Sequence, residues 1–294
     1  MDKTKFKQLL EQEIQQMCKI ALIEDIAGEN NSDITAELIA EDKQANAKLL
    51  TREAGILCGT AWVEKIFELY AHNNNHQVNI DWNFKDGDKL NANDVICTLT
   101  GNARAILTGE RSAMNFLQSL SATATLTASY ADKIKNTNCQ LLDTRKTIPG
   151  MRFGQKYAVT CGGGTNHRIG LSDAFLIKEN HILSCGGIIE ALHAAISNHP
   201  DKLLEIEVES LEELKLALDG NAQVIMLDNF SLEDMCEAMV MRDKHVNQAK
   251  LEASGNVSLE TIADIAATGV DYISVGALTK NVEALDLSLR VNIN

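Results

Sequence analysis

From residue 139 onward the chain alternates short apolar runs with amphipathic stretches, and that alternation narrows the possible folds more than any other feature. Apolar runs sit at 141–142, 174–177, 203–208, 224–227, 251–253 and 272–275. Helical periodicity fills the later intervals. Ile188, Ile189, Leu192 and Ile196 share one face, a second helix covers 232–241, and a third covers 259–267 and ends at Gly269, a natural C-cap. Ser210 and Glu213 stand in capping-box spacing just after a strand. Such alternation predicts parallel strands joined by right-handed crossovers, and so a β/α barrel or a related parallel fold.

The first part reads differently. Phe6, Leu9, Leu10, Met17 and Ala21 recur at helical spacing, and a polar loop follows at 28–32. Strand-like pieces at 47–50 and 95–99 flank a helix over 61–71, with a short Asn loop at 73–75 and a turn at Gly87-Asp88. A long helix is expected from near Gly109 to Ile134. The pattern is an α+β unit with antiparallel strands.

In parallel β/α folds the active site lies at the C-terminal strand ends. Here those ends carry functional groups in turn: Asp143-Thr144-Arg145-Lys146, Lys178-Glu179-Asn180-His181, Asp228-Asn229, Glu252-Ala253-Ser254-Gly255 and Ser274-Val275-Gly276-Ala277. Between them, Glu205, Glu207 and Glu209 alternate along one strand and are expected on one face. A single charged strand end is usually solvated, and a glycine after a strand is usually a turn; six such ends in succession point to a site. Arg145, Lys146, Arg168 and Lys178 suit carboxylates and phosphates. Glu207 and Asp228 offer hard oxygen ligands for Mg²⁺ arriving with a phosphate substrate, the alternative being salt bridges to nearby lysines. Ser254-Gly255 and Gly276-Ala277 follow the last two strands, where β/α barrels often hold a phosphate on backbone N–H groups. The run Gly162–Gly164 is open to two readings, an anion-holding loop or a plain tight turn.

Charge supports an anion site. The formal net charge is −14, which argues against nonspecific nucleic-acid binding. Yet 143–181 holds six Lys/Arg (Arg145, Lys146, Arg152, Lys156, Arg168, Lys178) against three acids. Seven scattered cysteines without a C-x-x-C pair fit reduced, buried thiols. No apolar run reaches the ~20 residues that span a bilayer, and 1–16 lacks a signal core, so a cytoplasmic protein without a membrane partner is expected. Walker A, G-x-G-x-x-G and G-x-S-x-G patterns do not occur, which weakens nucleotide hydrolysis, Rossmann redox chemistry and serine esterase activity.

The motifs LLDTRKTIPGMR (141–152), KYAVTCGGGTNHRIGLSDAFLIKENHI (156–182), EIEVES (205–210), MLDN (226–229), LEASGN (251–256) and GVDYISVGALT (269–279), with Gly109-Glu110-Arg111 and Asn115-Phe116-Leu117, stand in fixed order. On these the chain resembles the quinolinate phosphoribosyltransferase family from about 21 to 289. The resemblance implies an α/β fold with an N-terminal α/β sandwich over 1–116 and an open, incomplete (β/α) barrel over 117–279, with 280–294 returning to the sandwich. It implies transfer of phosphoribose from 5-phosphoribosyl 1-diphosphate (PRPP) to quinolinate with decarboxylation. The products would be nicotinate mononucleotide, diphosphate and CO₂, on the route to NAD, with Mg²⁺ and no organic cofactor. Thr144, Arg145, Lys146, His167, Arg168 and Lys178 would hold the quinolinate carboxylates and the diphosphate. Glu207 and Asp228 would bind Mg²⁺ and the ribose hydroxyls. Ser254, Gly255, Asn256, Val275, Gly276 and Ala277 would hold the 5-phosphate. By the same resemblance Lys146, Lys178, Glu207 and Asp228 would carry the catalytic roles. Arg111 would reach the site of a second copy, making the active unit a homodimer, with a hexamer as the larger assembly.

The chain departs from the family pattern in a longer GENNS segment (28–32), in Ala122-Thr123, in Asn256 where glycine is usual, and in Lys280 where histidine is usual. Two other readings compete: a paralogue acting on another pyridine acid such as nicotinate, and a non-catalytic phosphate-binding barrel. A lysine Schiff-base aldolase with Lys146 or Lys178 is more remote.

Overall fold

The computed structural model describes residues 2–26, 32–74 and 76–293. They fall into two compact units. The first takes 2–128, 147–163 and the chain from 278 on; the second takes 129–146 and 164–277. In chain order the elements are α1 (Lys3–Ile26), β1 (Gln44–Thr51), β2 (Gly55–Ile56), α2 (Thr60–Asn74), β3 (Val78–Trp82), β4 (Lys89–Leu90), β5 (Val95–Asn102), α3 (Ala103–Ile134) and β6 (Gln140–Leu142). Then come α4 (Arg152–Cys161), α5 (Glu179–Cys185), α6 (Ile188–Asn198), β7 (Glu205–Val208), α7 (Leu211–Asp219), β8 (Val224–Asp228), α8 (Leu232–Lys244), β9 (Lys250–Ser254), α9 (Ile262–Ala267), β10 (Tyr272–Ser274), α10 (Ala277–Lys280) and β11 (Leu287–Ile293).

The first unit is built on an antiparallel sheet in the order β11-β1-β5-β3. Alternation along β1 sends Ala45, Ala47 and Leu49 inward and leaves the residues between them exposed, as expected for a sheet covered on one face. Helix α1 contributes a narrow stripe, Ile14, Cys18 and Leu22, at intervals of one turn. These side chains join Trp62, Ile66, Ile96, Leu117 and Leu120 in one apolar core. Helix α3 begins at Ala103, six residues before the start expected from periodicity. Asn102, the last residue of β5, explains the difference: its Oδ1 accepts the Ala105 N–H at 3.1 Å and caps the helix directly out of the strand. Helix α2 runs through Asn74, so most of the expected Asn loop is helical; Asn75 and residues 28–31 of the GENNS segment lie outside the described residues.

Helix α4 is held by long-range contacts. Glu13 of α1 accepts the N–H groups of Phe153 and Gly154 at 2.8 and 2.7 Å, satisfying two donors of the first turn that no carbonyl of the helix can reach. Burial pushes the Glu13 carboxyl up, and the two amides and Arg152 oppose that rise. At the other end, Gly162 lies hard against α3. A Cβ there would overlap the Ala124 carbonyl oxygen and come within 2.6 Å of Thr127 Cβ. The glycine run therefore starts as a close-packing device, which favours the turn reading over the anion loop. A cut at 116/117 would fall inside α3, and α4 joins the first unit through these contacts.

The second unit is a parallel sheet in the order β6-β10-β9-β8-β7. The run 174–177, read as a strand, lies parallel to the chain of β7 at one edge: Phe175 and Ile177 donate their N–H groups to the Leu203 and Glu205 carbonyls, and the Ile177 carbonyl accepts the Glu207 N–H, each at 2.9 Å; Leu142 and Thr165 bridge at the opposite edge. At neither edge does this pairing extend into a full ladder. Helices occupy the expected intervals. Ser210 Oγ caps α7 by accepting the Glu213 N–H at 3.2 Å, and Ser231 does the same for α8 at 3.1 Å. Helix α9 is shorter than expected because Ser258 and Thr261 bind each other across a turn; the chain after it reverses at Gly269 with φ +94°. Among the described residues no helix is long and apolar enough to cross a membrane. All seven cysteines are free thiols.

Candidate active site

The register of the second unit's sheet sorts its side chains. Glu207 pairs with Met226, which pairs with Glu252; Asp228 pairs with Ser254. Parallel partners in register face the same way, so Glu205, Glu207, Asp228, Glu252 and Ser254 share one face of the sheet. Ile206 and Val208 point to the opposite face and are fully buried. Glu209 lies just past β7, where its N–H donates to Glu213 at the start of α7, so it leaves the alternation of the other two.

The deeper layer centres on His167. Its Nε2 lies 3.0 Å from Glu205 Oε2 and 3.4 Å from Glu252 Oε2. The two carboxylates are 2% and 1% exposed. Asp143, fully buried at the end of β6, accepts the His167 N–H at 2.9 Å and the Asn166 side-chain amide at 2.6 Å. Burial alone would push the His167 ring down; the hydrogen bonds and charges of Glu205 and Glu252 outweigh it and raise the ring to about 10. Burial likewise pushes Glu205 up, against the pull of His167. The Arg168 N–H, 2.7 Å from Nδ1, works against a proton on that nitrogen. The two carboxylates thus favour a protonated ring with Nε2–H aimed at them, and the Arg168 N–H facing Nδ1 opposes part of that rise. Among the described residues the triad of His167, Glu205 and Glu252 is also the sole group of three His, Cys, Asp or Glu side chains within metal-ligand reach of one another.

The outer layer is cationic. Arg168 and Arg145 lie close enough that repulsion from Arg145 adds to burial in lowering the Arg168 guanidinium, while Glu205 and Asp173 oppose the drop. Arg168 Nη1 donates to the Ala174 carbonyl at 3.3 Å. Lys178 forms an ion pair with Glu207. The Lys146 N–H donates to Thr144 Oγ1 at 3.1 Å, and the Lys146 side chain lies across Gly276, where a Cβ would sit 3.0 Å from Lys146 Cδ. Glycine at 276 leaves room for the Lys146 side chain to pass close to the end of β10.

Asp228 is oriented by Asn229, whose Nδ2 donates to Asp228 Oδ2 at 2.9 Å. Asn229, Gly255 and Asn256 all have positive φ, 56°, 102° and 48°. A side chain at 255 would run into Asn229 Cγ at 2.7 Å. Asn256, where the family pattern has glycine, donates Nδ2 to Asn229 Oδ1 at 3.3 Å and so ties the turn after β9 to the one after β8. Val275 donates its N–H to Leu142 O at 2.9 Å, and Ala277 opens α10. Arg111 is exposed on α3 of the first unit.

The second unit therefore gathers Thr144, Arg145, Lys146, His167, Arg168, Lys178, Glu207, Asp228, Ser254, Gly255, Asn256, Val275, Gly276 and Ala277 on its sheet and strand-end loops. Of the basic stretch, Arg152 and Lys156 belong instead to α4 of the first unit, where Lys156 is fully buried. The sequence places Asp143, Glu205, Glu252 and Asn229 among the strand-end groups but gives none of them a role. The alternation of Glu205 with Glu207 was the available signal for one of them. Glu207 and Asp228 stand at the ends of adjacent strands, with Lys178 on the first and no third carboxylate grouped with them among the described residues. That donor set fits Mg²⁺ delivered on a phosphate rather than an ion caged by protein.

Comparison with known proteins adds the following. Residues 33–121 match the model for "Quinolinate phosphoribosyl transferase, N-terminal domain", and 123–290 match its C-terminal counterpart. The nicotinate-nucleotide pyrophosphorylase [carboxylating] of Mycobacterium leprae is 37% identical over 262 residues, covering 87% of this chain and 90% of its own. A probable enzyme of the same name from Bacillus subtilis is 38% identical over 274 residues, 92% and 91% of the two chains. Among solved structures, the nicotinate-nucleotide pyrophosphorylase of Francisella tularensis superposes with a TM-score of 0.90 at 46% identity, covering 96% of both chains.

Proposed function

The chain belongs to the quinolinate phosphoribosyltransferase family, and from that premise we propose how its own residues carry the reaction. The protein is a decarboxylating phosphoribosyltransferase: it joins quinolinate to PRPP and gives nicotinate mononucleotide, diphosphate and CO₂, a step of NAD biosynthesis. Arg145 and Arg168 clamp the two carboxylates of quinolinate. What supports this assignment is the placement of both on loops of the second unit, near enough that the charge of Arg145 acts on Arg168; a bound dicarboxylate would satisfy both, since each guanidinium can grip a carboxylate through paired N–H groups. His167 lines the same pocket through the segment it shares with Arg168.

Lys146 and Lys178 face the diphosphate as point charges and stabilise it as it leaves. Glu207 and Asp228 would hold Mg²⁺, which would supply charge neutralisation to the diphosphate. The same carboxylates favour positive charge at the ribosyl carbon and accept hydrogen bonds from the ribose hydroxyls. The turn Ser254, Gly255, Asn256 and the backbone of Val275, Gly276 and Ala277 take the 5-phosphate; positive φ at 255 and 256 supports this, since such turns present successive N–H groups to an anion. After the pyridine nitrogen has bonded to the ribosyl carbon, its positive charge draws the electrons of the adjacent C–CO₂ bond, and a proton replaces the lost CO₂. The active unit is a homodimer in a cytoplasmic setting, with Arg111, exposed on α3, reaching a second copy.

The test is turnover of quinolinate with PRPP and Mg²⁺, followed by CO₂ release, with nicotinate in a parallel reaction. Product from quinolinate only supports the decarboxylating transferase; product from nicotinate only moves the chain to a paralogous reaction. Arg145→Ala should lose roughly 100-fold in kcat/KM, the worth of two charge-assisted hydrogen bonds, with thermal stability retained. Near-normal turnover would remove Arg145 from the clamp.

A further inference from the structure

We propose that Glu205 and Glu252 are positioning residues for quinolinate binding: with Asp143 they clamp residues 166–168 through His167, and so hold Arg168 beside Arg145. The inference rests on the assignment of Arg145 and Arg168 to the dicarboxylate.

Three nearly or fully buried carboxylates beneath a site for anions are an expense that packing alone does not require. Met226, between Glu207 and Glu252 in the sheet, fills the same layer with an apolar side chain. Glu252 Oε1 is buried without a hydrogen-bond partner, a further cost. The three groups nevertheless converge on consecutive residues of one segment. Asp143 takes the His167 amide and the Asn166 side chain; Glu205 and Glu252 take His167 Nε2 from two strands separated by β8.

That segment has no regular structure of its own, so its backbone would otherwise sample many conformations. It also has a reason to move. Arg168 is the next residue, and its guanidinium is repelled by Arg145 and attracted by Glu205 and Asp173. A loop free to relax would separate the two cations and lose the spacing that fits a planar dicarboxylate. The clamp opposes that relaxation before substrate arrives, so quinolinate does not have to order the loop on binding.

The test compares Glu205→Gln, Glu252→Gln, Glu205→Ala and Glu252→Ala in the full-length protein, with KM measured for each substrate. Glutamine keeps a carbonyl that accepts from Nε2–H, so both Gln variants should stay within about threefold of wild type. The Ala variants should raise the quinolinate KM by roughly tenfold or more, the scale of a displaced binding group, and leave the PRPP KM within about twofold. If an Ala variant does not fold, Glu252→Asp and Glu205→Asp, which withdraw the carboxylate by one methylene, should give the same selective rise. The His167 Nε2–H resonance of the ligand-free protein should be slow to exchange in wild type and the Gln variants, and lost in the Ala or Asp variants. Unchanged KM values, or equal rises for both substrates, would overturn the proposal, because a merely structural role lowers the active fraction without favouring one substrate. Failure of the wild type to turn over quinolinate would refute the functional reading instead; the resonance would still decide whether the clamp exists.

Discussion

Substituting Gly162 with alanine separates two explanations of the glycine run. The new Cβ would overlap the Ala124 carbonyl oxygen and lie 2.6 Å from Thr127 Cβ and 3.1 Å from the Ala124 carbonyl carbon. Carbon atoms pack at about 3.5–4.0 Å, so the end of α4 must withdraw from α3 by roughly 1 Å. Overpacking of this kind costs about 1–3 kcal/mol, and the upper part of the range applies because the obstruction is main chain. Gly162 sits at φ −80°, which any residue adopts, so no backbone strain is added. Alanine recovers roughly 0.4–1 kcal/mol by restricting the unfolded chain. The net loss is about 2 kcal/mol, or a fall in melting temperature of roughly 4–8 °C at 2–4 °C per kcal/mol. Gly170→Ala is the control, since a Cβ there meets nothing within 4 Å; it should melt within about 1 °C of wild type. Thermal unfolding by circular dichroism reads both variants. If Gly162→Ala melts like Gly170→Ala while the PRPP KM rises, the packing argument fails and the anion-loop reading returns.

Glu13→Ala strands the Phe153 and Gly154 amides at the start of α4, and should cost roughly 2–4 kcal/mol in urea unfolding, about 1–2 per buried donor; a loss below 1 kcal/mol would mean that water replaces the cap. The His167 ring, raised to about 10, binds its proton more tightly folded than unfolded. Its stabilisation is therefore complete below the ordinary value of about 6.5 and is lost as pH rises through about 10. The stability gap between wild type and His167→Gln should accordingly shrink from pH 7 to 10, and a flat gap would contradict the triad. Burial pushes Cys18, Cys97 and Cys139 up to about 12, whereas Cys185 and Cys236 are exposed. An aromatic disulfide reagent at pH 8 should label Cys185 and Cys236 promptly and the three buried thiols only on unfolding, with mass spectrometry assigning the sites.

Local rules carried much of the fold. Ser210 and Gly269 mark a helix start and a reversal because one hydroxyl and one left-handed residue suffice to make them. The strand ends followed from the alternation of runs, since a parallel sheet delivers every C-terminal end to one edge. Where contacts are distant, the sequence was silent. Nothing near 152 announces that α4 begins there, because its cap comes from Glu13, about 140 residues earlier. Nor does the spacing of His167, Glu205 and Glu252 announce that they meet; only the register of β7, β8 and β9 brings them together. The run 174–177 has the composition of a strand and does bond along the chain of β7, as an edge bridge rather than a full ladder.

The pairing of β11 with β1 has a consequence for biosynthesis. Leu49 faces Leu289 across that pair, so the sheet of the first unit cannot be finished until residues 287–293 have left the ribosome. The barrel unit, contained between its partners, can fold while β1 still waits with one side unpaired. During that interval β1 offers a row of open amides and carbonyls to any passing extended segment. Deleting residues 287–293 would make the wait permanent, and insoluble protein on expression, rather than a slower enzyme, is the expected phenotype.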